Sequence, residues 1–376
     1  MTSGTNKLRV AILGASGYTG AELVRLLANH AKVELTVLTA DRHAGRPLGD
    51  VFPHLGGLGL PDLLHIDEVE WAGIDVDLVF CTLPHGTTQE VIAELLHATG
   101  HDMVDELVAG RRQGVIAGLA KNVKVIDLSA DFRLTDVGTY AQWYGHEHLA
   151  AHLQPEAVYG LTEFARDALT GSRLIACPGC YPTASLLPLV PLIENGVIGS
   201  EGIIIDAKSG VSGAGRSLKE AMLFSEVAEG VHPYGIGGHR HAPEIEQEVS
   251  RAAGELVTLN FTPHLVPMNR GILATIYVNM TDGNDADDLR AILRSRYEDE
   301  PFVRVVDEGV VPATRHVRGS NHCLIGVFPD RVPGRAILVS AIDNLVKGGS
   351  GQAVQNMNVA YGFEETSGLR QEPMFP

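Results

Sequence analysis

The first third of the chain alternates short apolar runs with longer stretches of mixed character. Val10 to Leu13, Val33 to Thr39, Val76 to Thr82 and Val123 to Leu128 are rich in apolar residues, the pattern of strands buried on both faces of a parallel sheet. Between the first two, Ala21 to Asn29 places Leu23, Leu26 and Leu27 on one side, which predicts a helix. Strand and helix in alternation predict crossover connections and a doubly wound α/β domain. The middle of the chain changes period. Gly202 to Ala207, Ala274 to Met280, Phe302 to Val306, Leu324 to Phe328 and Arg335 to Ile342 read as strands separated by turns, predicting an α+β domain with a mixed or antiparallel sheet. Helical spacing returns from Asn344 to Tyr361, with Val354, Met357, Val359 and Ala360 as packing residues. The expected division is therefore 1–178, 179–343 and a C-terminal helical segment, 344–376.

At 376 residues and 45% hydrophobic composition, the chain is long enough for two domains with separate cores. Acidic residues outnumber basic ones 46 to 29, a formal charge of −17. That balance argues against a nucleic-acid or anionic-membrane partner and leaves an anionic small molecule open. Met1 to Lys7 is polar and leads straight into a strand-like run, so no signal sequence is expected. The longest apolar candidate, Ala184 to Ile193, is too short for a bilayer span and is expected to be broken by Pro188 and Pro191. Cys81, Cys177, Cys180 and Cys323 are too few and too irregular for a disulfide framework, which points to a cytoplasmic protein. No metal site is expected, because the Cys177-Cys180 pair has no second pair to complete it.

Gly14-Ala15-Ser16-Gly17-Tyr18-Thr19-Gly20 follows the first strand and opens the first helix. Glycines there allow a tight turn and close backbone approach, and the helix N-terminus offers N–H groups to a pyrophosphate, so the loop is expected to bind a dinucleotide. Thr39, Asp41 and Arg42 stand at the end of the second strand. Asp41 alone points to NAD. Ser16 and Thr39 as donors and Arg42 as a cation suit a 2′-phosphate, which favours NADP, unless Arg42 is merely a solvated loop residue. A second loop, Cys81-Thr82-Leu83-Pro84-His85-Gly86, follows a later strand and brings Pro84 and Gly86 toward the same crevice. Cys81 reads as a small buried hydrophobe and His85 as a local hydrogen-bonding group.

Ile175-Ala176-Cys177-Pro178-Gly179-Cys180-Tyr181-Pro182-Thr183 joins a strand end to a helix-like run through a Pro-Gly turn. Cys180 thereby falls at a helix N-terminus, where the dipole favours thiolate. A buried structural cysteine and a redox pair with Cys177 are the alternatives. Gly238-His239-Arg240-His241 supplies two candidate acid/base histidines, which spacing cannot separate, and Arg240 as a cation for a substrate carboxylate or phosphate. Lys208-Ser209-Gly210-Val211-Ser212-Gly213-Ala214-Gly215-Arg216 reads as a small-residue loop after a strand with a cation at each end. It is a candidate anion site through Lys208, Ser209 and Arg216, with Gly210 toward the nicotinamide, or else a flexible linker.

Together with Leu83-Pro84-His85-Gly86, Ile126-Asp127-Leu128-Ser129-Ala130-Asp131-Phe132-Arg133, Gly238-His239-Arg240-His241-Ala242-Pro243-Glu244-Ile245 and Asp343-Asn344-Leu345-Val346-Lys347-Gly348, these segments resemble the N-acetyl-gamma-glutamyl-phosphate reductases, relatives of the aspartate-semialdehyde dehydrogenases. The likeness runs over most of the chain. It implies a Rossmann-type domain with a glyceraldehyde-3-phosphate-dehydrogenase-like catalytic domain, a last helix returning to the nucleotide domain, and a homo-oligomer, dimer or tetramer. It further implies NADPH as cofactor, Cys180 as nucleophile, His239 or His241 as acid/base, and Asn344 near the nicotinamide. The activity implied is reduction of N-acetylglutamyl phosphate to its semialdehyde in arginine biosynthesis. Reduction of another acyl phosphate, or redox-responsive nucleotide binding without turnover, is the alternative. Two features depart from the family pattern: Cys177 stands where Asn is usual, and His97 to Asn122 is longer than expected, predicting an extra helix or surface excursion there.

Overall fold

The computed structural model describes residues 7–97 and 123–376. The expectations for residues 1–6 and for an excursion over 98–122 lie outside the described residues. The chain divides into two compact units, residues 1–177 with 352–369, and residues 178–351 with 370–376.

The first unit is built on a parallel sheet of β1 (Leu8–Leu13), β2 (Val33–Thr39), β3 (Leu63–Leu64), β4 (Leu78–Cys81), β5 (Lys124–Asp127), β6 (Ala157–Tyr159) and β7 (Leu174–Ala176), in the order β3-β2-β1-β4-β5-β7-β6. All four residues of β4 are buried, which is why these strands read as apolar runs. The strand order reverses between β1 and β4, and ligand crevices open at the carboxyl ends of strands at such a switch point. The loops after β1 and β4 both leave the sheet there. The helix Tyr18–Leu27 starts three residues earlier than the apolar spacing predicts. Gly20, ordinarily a weak helix former, is accommodated because a Cβ at that position would lie 2.5 Å from the Gly14 carbonyl oxygen and 2.7 Å from Ala15 Cα. The two- and three-residue strands β3 and β6 are too short to show a period.

The second unit carries a mixed sheet of β8 (Ile204–Gly210), β9 (His232–Pro233), β10 (Asn260–Val266), β11 (Ile272–Asn279), β12 (Val303–Val305), β13 (Cys323–Pro329) and β14 (Arg335–Ile342), in the order β12-β13-β14-β11-β8-β10-β9. β8 with β10 and β12 with β13 run parallel, and the remaining pairs antiparallel. Burial alternates along β10 and β11, so the sheet has one enclosed face. The helix Cys180–Glu194 packs against β11 and β14, with the helices Ala242–Ala253 and Ala286–Tyr297 beside it. Pro188 and Pro191 do not break this helix, contrary to expectation. Pro191 has no N–H for the Leu187 carbonyl, and the Tyr297 hydroxyl donates to that oxygen at 2.5 Å instead. Enclosure of nearly every side chain from Tyr181 to Ile193 supplies the rest. The tail is helical as the spacing predicts, a π-turn at Val346–Ser350 leading into the helix Gly351–Ala360.

Candidate active site

In the first unit the loop after β1 is shaped by its neighbours. Gly14 has φ +87°, and a Cβ there would lie 2.8 Å from Thr82 Oγ1 and 2.9 Å from the Thr82 carbonyl oxygen. The Thr82 hydroxyl donates to the Leu13 carbonyl at 2.7 Å, tying the ends of β4 and β1 together. Thr39 is buried, and its hydroxyl accepts the Gly14 N–H at 3.2 Å while its carbonyl accepts the Ala15 N–H at 2.8 Å. Thr39 therefore shapes the loop. Gly17 is the N-cap of the helix Tyr18–Leu27 and brings no capping side chain, so its first turn presents backbone to the loop alongside Ser16, Tyr18 and Thr19. Arg42 and Asp41 are both exposed beside it. This is the form of a phosphate cradle, and it fits a dinucleotide: the close approach that fills the place of a Cβ at Gly14 and Gly20 brings backbone where a pyrophosphate would need it. Pro84 is exposed on the loop after β4. Cys81 is fully buried, and burial pushes its thiol well above the ordinary range, leaving it an inert core residue.

In the second unit Cys180 opens the helix Cys180–Glu194 and is partly exposed, while Gly179 before it is the N-cap. The Glu244 carboxylate, itself buried, accepts the Gly179 N–H at 2.7 Å and so fixes the turn that carries the thiol. Gly348 lies against Cys180 from the π-turn; a Cβ at 348 would lie 2.7 Å from Cys180 Cβ. The His239 and His241 rings stand edge to face with centroids 4.9 Å apart, and both pack on Tyr181, at 5.7 and 5.8 Å. Phe261 and Tyr234 close the aromatic wall around His239. His239 Nδ1 accepts the backbone N–H of His241 at 3.1 Å, which puts the proton of the neutral ring on Nε2. Burial and then Arg240 lower His239 to about 4, so it is neutral near pH 7. Tyr181 and Tyr234 share a hydroxyl contact of 2.9 Å, and burial raises both, Tyr234 to about 12.

Residues 208–216 depart from the expected loop. Lys208, Ser209 and Gly210 belong to β8, and only Val211–Ala214 turns. Small residues persist in this strand because it is central: β10 and β11 flank it, and a Cβ at Gly210 would lie 2.8 Å from the Met268 and Asn269 carbonyl oxygens. Lys208 Nζ lies 3.0 Å from Asp206 Oδ1, and Ser209 is buried with its hydroxyl donating to the Gly210 carbonyl at 3.0 Å. Arg216 and Arg240 are exposed. Asn344 is buried, accepting the Gly271 N–H at 2.7 Å and donating to Ser212 Oγ at 2.9 Å. Among the described residues no group of three or more His, Cys, Asp and Glu side chains is placed to hold a metal ion, and no helix is long and apolar enough to cross a membrane.

Residues 9–113 match the semialdehyde dehydrogenase NAD-binding domain, and residues 180–344 the semialdehyde dehydrogenase dimerisation domain. An N-acetyl-gamma-glutamyl-phosphate reductase from Rhodospirillum rubrum is 58% identical over 372 residues, covering 99% of this chain and all of that one. The chain belongs to the N-acetyl-gamma-glutamyl-phosphate reductase family. A probable chloroplastic N-acetyl-gamma-glutamyl-phosphate reductase from Arabidopsis thaliana is 54% identical, over 98% of this chain and 86% of its own. Aspartate semialdehyde dehydrogenase II from Vibrio cholerae shares the fold, with a TM-score of 0.69 over 95% of this chain and 99% of that one at 17% identity.

Three features of this reductase-family site escaped sequence reasoning. The hold of Glu244 on Gly179 spans 65 positions, so no spacing signals it, although Glu244 lies within the quoted histidine motif. The contact of Gly348 with Cys180 is equally non-local. Cys177 is buried and accepts from Asn356 Nδ2 at 3.5 Å, a packing partner that only the structure identifies.

Proposed function

We propose that the protein catalyses NADPH-dependent reduction of N-acetyl-L-glutamyl 5-phosphate to N-acetyl-L-glutamate 5-semialdehyde and phosphate. The observation that carries this is a partly exposed thiol at a helix start whose next residue, Tyr181, packs against two histidines, in a chain related over its whole length to reductases of that name. Ser16, Gly17 and the first turn at Tyr18–Gly20 would hold the pyrophosphate, and Arg42 the 2′-phosphate. NADPH supplies a hydride when bound. His239, neutral near pH 7 and aromatic-walled, takes the thiol proton; the Cys180 sulfur attacks the acyl carbon, the carbon–oxygen bond to phosphate breaks, and a thioester remains. Once the thioester carbon carries the hydride that NADPH would supply, His239 would give its proton to the oxygen; as the carbon–sulfur bond breaks to free the aldehyde, that proton would leave oxygen and pass back through His239 to the Cys180 sulfur. His241 positions the neighbouring ring, and Asn344 stands beside Ser212 to orient groups near the reacting carbon. Arg240 and Arg216 are the cations for the substrate's carboxylate and phosphate, with Lys208, Ser209 and Gly210 shaping the strand end that leads to them.

The match to a dimerisation domain supports a homo-oligomer, and four free cysteines support a cytoplasmic setting. The deciding experiment runs the reaction backwards: N-acetylglutamate semialdehyde should reduce NADP⁺ only when inorganic phosphate is present. Turnover of aspartate semialdehyde alone would reassign the substrate, and no turnover with either would leave a nucleotide-binding protein.

A further inference from the structure

Two carboxylates are fully buried at the end of β5 and just after it, Asp127 and Asp131. Asp127 accepts the Ser129 N–H at 2.9 Å, and its second oxygen lies 2.7 Å from Ser129 Oγ. Asp131 accepts the Gly86 N–H at 2.8 and 3.0 Å, the Thr88 N–H at 3.3 Å and the Tyr140 hydroxyl at 3.0 Å. Thr88 Oγ1 lies 2.5 Å from Asp131 Oδ2 and 2.7 Å from Ser129 Oγ. Four oxygens thus stand in series, Asp127 Oδ2, Ser129 Oγ, Thr88 Oγ1 and Asp131 Oδ2, joined by three short contacts.

Three such contacts require three hydrogens, and the two hydroxyls supply two. The third must come from a carboxyl group. With the proton on Asp127, that acid donates to Ser129, Ser129 to Thr88, and Thr88 to Asp131, leaving Asp131 as the ionised acceptor at Gly86. We propose that Asp131 is a positioning residue that clamps the 83–87 loop beside the cofactor crevice, and that one proton held on Asp127 completes the clamp. Pro84, His85 and Thr87 in this loop are exposed, and the Ala130 N–H donates to His85 Nδ1 at 2.9 Å. Loss of the Asp127 proton breaks one link of the chain and sets two buried negative charges against each other.

The groups facing the pair favour a single shared proton. Cys81 on β4 is buried and protonated, Tyr140 is raised by burial, and His148, lowered by burial, gives its Nε2 to the Asp131 carbonyl at 2.7 Å. His85 is part of the loop, and His146 lies against its Gly86. Arg133 is a cation that acts on Asp127, and its Nε and Nη2 donate to the Cys177 and Leu128 carbonyls. Burial, and after it Asp131, raises Asp127 to about 7.

This inference rests on NADPH being the cofactor. The test compares the affinities of the full chain for NADPH and for 2′,5′-ADP between pH 6 and 9. The ratio cancels the titration of the 2′-phosphate, and NADPH alone carries the nicotinamide half that is proposed to lie against the 83–87 loop. In wild type the ratio should shift against NADPH by roughly fivefold as pH rises through 7, the worth of about one hydrogen bond. Asp127→Asn, whose amide always donates, should keep NADPH tight and flatten that shift. Asp131→Asn should weaken NADPH roughly tenfold at every pH and leave 2′,5′-ADP within about twofold. Should Asp131→Asn not fold, Thr88→Val breaks the same relay and should weaken NADPH selectively. A wild-type slope in Asp127→Asn, or equal loss of both ligands in Asp131→Asn or Thr88→Val, overturns the clamp. A wild type that binds neither ligand instead overturns the cofactor reading.

Discussion

In the first unit, the groups poised to meet a ligand are backbone: a glycine turn at Gly14, a glycine N-cap at Gly17 and an uncapped first helical turn. In the second they are side chains, a thiol and two imidazoles walled by Tyr181, Tyr234 and Phe261. The difference follows from the work each is suited to. A pyrophosphate carries fixed charge and needs only oriented N–H groups, which a fold supplies without titratable residues. Thioester chemistry needs a nucleophile and a proton carrier whose charges change in step, and burial keeps His239 in the neutral form that can accept a proton. Glycine substitutions should therefore damage the first region and side-chain substitutions the second.

The largest effect should come from the thiol. Cys180→Ser should lower turnover in the phosphate-dependent NADP⁺ assay by at least about a thousandfold, because a hydroxyl is a far poorer nucleophile near neutral pH. NADPH binding, followed by fluorescence titration, should stay within about twofold. Retained turnover would remove the thioester route. The mirror experiment is Gly20→Val: backbone atoms at 2.5 and 2.7 Å cannot yield to a side chain, so NADPH affinity should fall by about a hundredfold. The rate at which iodoacetamide alkylates Cys180 should be unchanged in that variant, and a parallel loss of both would blur the separation. Arg42→Ala should be smaller and selective, weakening NADPH roughly tenfold through the lost charge-assisted bond while NADH binding barely moves.

How much of this was legible depended on how local the cause was. β2 matches its expected span because its pattern of buried residues is written within the strand itself. Cys180 at a helix start was legible because Pro178, Gly179 and Pro182 mark the turn and the first helical residues. Pro191 misled because its remedy, the Tyr297 hydroxyl, lies 110 positions from Leu187, and Pro188 because the enclosure that holds the helix is tertiary. Lys208 to Gly210 misled in the same way: a Ser-Gly pair looks like a turn until two flanking strands claim it. Asp127 and Asp131 lie within one short motif, yet their shared relay passes through Thr88, 43 positions before Asp131, and no periodicity records such a contact.

The smallest expected effect tests the two regions by the sign of their pH dependence. His239 is lowered from 6.5 to about 4, chiefly by burial, so between those values the unfolded chain binds a proton that the folded chain does not. Its contribution to stability is therefore complete above pH 6.5 and is lost as pH falls toward 4. Asp127 is raised from 3.8 to about 7, also chiefly by burial, so across that window the folded chain binds the extra proton. Its contribution is complete at acid pH and is lost as pH rises toward 7. The two oppose each other between pH 4 and 6.5, and wild type shows only their difference. Urea midpoints at pH 5 and pH 7 separate them. His239→Asn should shrink the gain in midpoint from pH 5 to pH 7, because the group that favours the higher pH is gone. Asp127→Asn should enlarge that gain. Shifts of the same sign in both variants would mean that one of these groups is not held in the protonation state its burial dictates.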